Sequence, residues 1–172
     1  IFDCFMYFDE NLLLDIRLNY LDKFVDKFII IECNYNHKGE VKKPTFKKEK
    51  YKKFENKIEY ILLKDQPKNI ERINVKDTEN ETSDKYILNA VKRENFQRNY
   101  IKNCLSEAAS NDWIIISDLD EIPNPNLIKK FNSKNRFAVC KQMHFYYKFN
   151  LLSKSNPFWY GSRLCIKKFL KS

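Results

Sequence analysis

The chain has 172 residues, enough for one domain with its own core, and its 43% hydrophobic and 15% aromatic residues exclude a disordered polymer. With only two glycines it carries no Walker A or Gly-x-Gly-x-x-Gly loop, so any phosphate must be held by metal, Lys/Arg or helix N-termini. The formal net charge is +9, and from Ile122 to Ser172 there is no Asp or Glu against eleven Lys and Arg. That asymmetry reads as a solvated basic surface before it reads as a nucleic-acid or membrane footprint.

Ile1–Phe8 reads as a strand. Asp9 or Glu10 caps a helix over Asn11–Leu21, with Leu14, Leu18 and Leu21 on one face. Lys27–Glu32 is a second strand ending in a carboxylate, and Cys33–Thr45 a polar loop with His37 and Gly39. Lys47–Phe54 reads as a short basic helix, Ile58–Leu63 as a third strand, and Lys64–Ser83 as a polar, mobile connection. Asp84–Ala109 predicts a long helix with Leu88, Val91, Ile101, Leu105 and Ala108 among its apolar positions. Trp113–Ser117 is a fourth strand. Beyond it come a short helix over Asn126–Phe131, a strand over Arg136–Tyr147 and an extended element over Pro157–Phe169. The β-α-β-α-β-α-β alternation predicts a mostly parallel α/β sheet flanked by helices. Ligands of such sheets bind at the carboxyl ends of strands, where Glu32 and Asp118 both fall.

Five scattered cysteines without a Cys-x-x-Cys pair predict buried, reduced thiols and a reducing, cytoplasmic setting. No apolar run reaches the length of a membrane span. Ile1 already lies inside a strand-like run, so the chain reads as a fragment, and a lost targeting segment leaves a Golgi or other membrane-anchored setting open.

The fourth strand runs into Ser117-Asp118-Leu119-Asp120-Glu121-Ile122-Pro123. Three carboxylates so close together repel one another, and a divalent cation relieves that repulsion. Mg²⁺ and Mn²⁺ prefer oxygen ligands and bridge carboxylates to a diphosphate. A strand ending in Asp-x-Asp therefore reads as a site for a metal–nucleotide complex, against the plainer reading of an acidic turn that caps the next helix.

Several stretches follow in the order seen in one family. They are Asp3-Cys4-Phe5, Glu10, Arg17-Leu18, Val25-Asp26-Lys27-Phe28, Glu32, His37-Lys38-Gly39, Lys57-Ile58, Glu94, Gln97-Arg98-Asn99 and the segment from Ser117 to Pro123. Together they resemble glycosyltransferase family 17, strongly from Asp3 to Pro123 and more weakly through Trp159-Tyr160-Gly161. The resemblance implies a Rossmann-like GT-A fold, a UDP-sugar donor, a glycan acceptor and inversion at the anomeric carbon. For the typical member the sugar is N-acetylglucosamine and the acceptor a mannose of an N-glycan core. It divides the single domain 1–172 into a donor-binding part, 1–123, and the start of an acceptor-side part, 124–172. The family pattern continues into a Trp-His segment, so the resemblance also implies a carboxyl-terminal truncation, with an extra metal-ligating histidine past Ser172.

On this reading Asp120 holds Mn²⁺ or Mg²⁺ against the diphosphate, and Asp118 faces the ribose or the metal's water shell. Glu121 orients either one, giving Asp120 and Glu121 as the catalytic pair. Glu32, Arg98, Asn99 and Asp118 are donor contacts. Each has a plainer reading: Glu32 as a carboxylate paired with lysine, and Arg98 as the i,i+4 partner of Glu94. His37 and His144 read as structural, and Tyr146, Tyr147 and Trp159 as core aromatics or sugar-stacking platforms. The general base of an inverting transfer is Glu121, Asp118, an upstream carboxylate or a residue past Ser172, the last being favoured. Two other functions fit the same residues. One is a metal-dependent sugar nucleotidyl or phosphoryl transferase; the other is a non-enzymatic basic nucleic-acid-binding domain.

Overall fold

The computed structural model describes residues 1–131, 134–147 and 150–170. Six strands form one sheet: β1 (Phe2–Tyr7), β2 (Lys27–Cys33), β3 (Ile58–Leu63), β4 (Trp113–Asp118), β5 (Phe137–Met143) and β6 (Phe158–Ile166). Their order is β3-β2-β1-β4-β6-β5. The first four run parallel; β6 lies antiparallel to β4, and β5 antiparallel to β6. The strand order reverses between β1 and β4, which puts the carboxyl ends of both at the switch point where such sheets bind ligands.

Strand periodicity distributes the core. Phe5, Phe28, Ile30 and Ile115 face one side of the sheet and pack with Leu14, Leu18 and Leu21 of helix α1 (Asn11–Leu21). Their alternates Cys4, Ile29, Ile31 and Ile114 face the other side and pack with Ile101, Cys104, Leu105 and Ala108. Because β1 and β2 are covered on both faces, they read as continuous apolar runs. All five cysteines are free thiols, and four of them are buried. No helix among the described residues is long and apolar enough to cross a membrane.

The predicted boundaries change in several places. Helix α2 runs over Glu79–Tyr100, five residues ahead of its expected start, because Thr78 and Glu81 close a capping box. It ends at a 3₁₀ turn over Ile101–Cys104 rather than continuing to Ala109. Leu88 and Val91 are exposed. The inward face of α2 is polar instead: Asn89 exchanges two hydrogen bonds with the backbone of Glu71, and Arg93 donates to the His37 carbonyl and to Gln66. The basic helix is a 3₁₀ helix over Lys48–Phe54, broken at Tyr51. The Asn126–Phe131 helix is a single turn, α3 (Pro125–Ile128), started by the Asn124 side chain and a proline in its first turn. Lys148, which falls just past the strand now ending at Met143, lies outside the described residues.

Gly39 sits at φ +88°, and a Cβ there would meet the Arg93 guanidinium at 2.3 Å. Only glycine allows both the left-handed backbone and the approach of the arginine that ties this loop to α2.

Candidate active site

The acidic segment is built from below. Arg17 is fully buried in α1, on the same face as Leu14 and Leu18. Its guanidinium pairs with the equally buried Asp3 of β1 through two bonds of 2.8 and 2.7 Å. The rest of the fork reaches the end of β4. It donates to the Asp118 carbonyl at 2.9 Å, to the Leu119 carbonyl at 3.0 Å and to Ser117 Oγ at 2.5 Å. A buried, unpaired arginine would be prohibitive, so the Asp3 charge and these carbonyls together fix where it lies. Arg17 thereby fixes the backbone from which Asp118, Asp120 and Glu121 project.

The three carboxylates then have different fates. Asp118, half-buried, accepts from Arg98 Nη2 at 2.9 Å, and the same nitrogen lies 2.7 Å from Glu94 Oε1. The helical pair of Arg98 with Glu94 therefore exists, and the same side chain also reaches the acidic segment. Glu121 accepts at one oxygen from Trp159 Nε1 (2.5 Å) and at the other from the Asp118 amide (3.1 Å). Its position depends on Gly161, where a Cβ would lie 2.6 Å from the Glu121 carboxyl carbon. Among the described residues the Asp120 carboxylate has no hydrogen-bond partner beyond its own backbone amide. Withdrawal from water by the cleft walls, and then the nearby Asp118 charge, push its pKa above the usual aspartate range.

Three clefts meet at Asp118. The first, about 320 Å³, lies over the carboxyl ends of β1, β2 and β4 and is lined by Tyr35, His37, Arg93, Gln97 and Asp120 among others. The Tyr35 hydroxyl, beside the Cys33 thiol, is the one buried side-chain polar atom without a hydrogen-bond partner among the described residues. The second, about 1030 Å³, opens on the other side of Asp120 and is walled by Glu121, His144 and Trp159. The third, about 790 Å³, holds Arg98, Asn99 and Arg163. Asp120 thus borders the first two clefts at once.

Glu32 departs from its expected role. Its carboxylate is wholly buried and receives bonds from Lys42 Nζ (2.6 Å), the Thr45 amide (2.8 Å), the Phe46 amide (3.2 Å) and the Tyr60 hydroxyl (2.9 Å). Burial alone would raise its pKa, but these donors outweigh it and hold the carboxyl below the usual range. Glu32 therefore staples the Cys33–Thr45 loop to the sheet and is closed to a direct donor contact. Asn99 is exposed and lines the Arg98 cleft, while Gln97 is spent on the Ile31 carbonyl at 2.8 Å.

Among the described residues no three His, Cys, Asp or Glu side chains converge as a metal cage. The donor set that is present suits a different arrangement. Asp120, free of partners, and the outer oxygen of Asp118 offer hard oxygen ligands to a cation that keeps most of its remaining positions for water and phosphate.

Arg17 and Gly161 are the parts that sequence reasoning left without a role, and for Trp159 it named only a core aromatic or a sugar-stacking ring, not a partner of Glu121. Arg17 and Asp3 did carry a signal, being charged residues inside an apolar helix face and an apolar strand. The contact of Trp159 and Gly161 with Glu121 carried none, because it joins segments far apart in the chain.

Comparison with curated proteins and with solved structures gives no match. The sequence model of glycosyltransferase family 17 matches residues 1–168, nearly the whole chain. The α/β sheet with its acidic segment at the switch point agrees with that match, and the chain belongs to glycosyltransferase family 17.

Proposed function

We propose that this glycosyltransferase is of the GT-A class and moves N-acetylglucosamine from UDP-N-acetylglucosamine to a glycan hydroxyl with inversion. One observation carries the reading. Asp120 stands without a side-chain partner at the junction of two clefts, while Asp118 and Glu121 on either side of it are pinned. A carboxylate held in that position at a cost in ionisation is what a bound cation would repay.

Asp120, with Asp118, would hold Mn²⁺ or Mg²⁺, which when bound supplies positive charge against the departing diphosphate. The first cleft has the volume and the position for the nucleoside of the donor. Arg98, drawn toward Asp118 by its hydrogen bond, adds a fixed positive charge beside the diphosphate position. Arg17 keeps the Asp118–Glu121 backbone in register with the sheet, so that Asp120 faces both clefts. Glu121 faces the second cleft, where an acceptor hydroxyl would enter. A hydrogen bond to each oxygen fixes the direction of its carboxylate, which suits it to orient that hydroxyl.

The test is calorimetry of UDP binding with and without Mn²⁺. Binding should need the metal, and Asp120→Asn should weaken it at least about a hundredfold, the order expected when a charge-assisted ligand bond is lost. A variant that keeps parental, Mn²⁺-dependent affinity removes Asp120 from the metal site.

A further inference from the structure

We propose that the second cleft, walled by Glu121, His144 and Trp159, is a saccharide subsite, in which a neutral sugar ring lays its C–H face on the indole and turns its hydroxyls to Glu121. This rests on the glycosyl-transfer reading above and names where the acceptor lies.

Charge is the first argument. The protein carries +9, yet among the described residues the lining of this cleft includes Asp9, Glu10, Asp118, Asp120 and Glu121 and no Lys or Arg. Such a wall repels phosphate and nucleic acid. It suits a neutral ligand rich in hydroxyl donors, because carboxylates are pure acceptors.

The aromatic wall is the second. Trp159 is 47% exposed and Tyr147 100% exposed, so neither is a core aromatic. Exposed aromatics beside carboxylates match a ligand that is apolar on its face and polar at its rim. A purely apolar ligand would strip water from the carboxylates without replacing it.

Preorganisation is the third. The Trp159 N–H is fixed on Glu121, and its ring lies 5.5 Å from that of His144. His144 is itself held: its amide donates to the Pro157 carbonyl, and its Nδ1 lies 3.1 Å from the Asn156 carbonyl. The indole is therefore anchored by its nitrogen edge, and little side-chain freedom remains to be lost on binding. The same bond couples the platform to Glu121, so a ring stacked on Trp159 brings its hydroxyls to that carboxylate.

The chain has two tryptophans, and Trp113 packs away from this cleft against Phe131. Their two indole N–H resonances, assigned with Trp159→Phe, give a site and an internal control. Mannose- and N-acetylglucosamine-containing disaccharides are titrated to millimolar levels, with and without UDP–Mn²⁺. The Trp159 signal should move saturably in at least one condition while the Trp113 signal stays. Trp159→Ala, checked for folding by circular dichroism, should weaken saccharide affinity at least about tenfold, as removal of a central aromatic anchor does. Trp159→Phe should keep most of the affinity, since the ring remains.

No saturable movement of the Trp159 signal in either condition overturns the proposal. So does equal movement of the Trp113 signal, or the same response to inorganic phosphate. The parent protein separates the two readings. A Trp159 response to saccharide without UDP–Mn²⁺ binding sinks the metal reading alone. UDP–Mn²⁺ binding without any Trp159 response sinks the subsite alone.

Discussion

Arg17→Met is the sharpest perturbation of the architecture beneath the acidic segment. It removes a guanidinium with no exposed surface and leaves the equally enclosed Asp3 carboxylate facing protein. Breaking a buried ion pair from one side costs about 3–5 kcal/mol. The Leu119 carbonyl loses its donor as well, at about 1–3 kcal/mol when such a group is left unsatisfied, while the Asp118 carbonyl keeps the Glu121 amide. The loss is thus at least about 4 kcal/mol, most of the stability of a marginal domain, which starts at about 5 kcal/mol. Asp3→Leu together with Arg17→Met removes both charges and leaves only the carbonyl penalty. The pair should therefore be grossly non-additive, with the double variant about 3 kcal/mol more stable than the sum of the singles predicts. Urea unfolding of all four proteins of the cycle measures this directly. Additivity within about 0.5 kcal/mol, or an Arg17→Met variant that loses less than about 1 kcal/mol, would refute the claim that this ion pair holds the segment.

Two further expectations follow from single contacts. Glu32→Gln should cost about 3 kcal/mol near neutral pH, because it unpairs Lys42 inside the loop. The Glu32 pKa is lowered on folding, so its contribution is present above the ordinary glutamate range and fades as pH falls through the depressed value. Parent and variant should then converge in acid, and a difference that widens as pH falls contradicts the assignment. Gly161→Ala should destabilise by about 1–3 kcal/mol through overpacking against Glu121, and it should shift the Trp159 indole resonance as the Trp159–Glu121 bond is displaced. A well-folded alanine variant with an unmoved indole signal would show that Glu121 does not need the space.

The elements legible in the sequence were those whose pattern is local. Strands β1 to β4 announced themselves as short apolar runs, and their alternation with helices fixed the parallel part of the sheet. The start of α2 was also written locally, in Thr78-Glu79-Asn80-Glu81, but the polar stretch before it concealed the signature. The buried face of α2 was not legible. Leu88 and Val91 obey a helical period, yet Asn89 and Arg93 win the inward positions because the loops they face offer unpaired backbone groups.

The acidic segment could be found from sequence, but the division of work within it could not. Asp118, Asp120 and Glu121 look equivalent in one dimension. They differ because Arg98 approaches from α2, Trp159 from β6, and no side chain among the described residues bonds to Asp120. Glu32 shows the converse: a carboxylate at a strand end is a site in one dimension and a staple once Lys42, Thr45 and Tyr60 close over it. Arg17 is the clearest case. Its helix position says only that a charge lies on an apolar face. The reason is 101 residues away, at the Asp118 carbonyl, and only the β1–β4 pairing brings the two together. What makes this segment able to hold a ligand is therefore a set of long-range contacts. Each constrains one neighbour of Asp120, and their joint effect is to leave a single carboxylate unpartnered where two clefts meet.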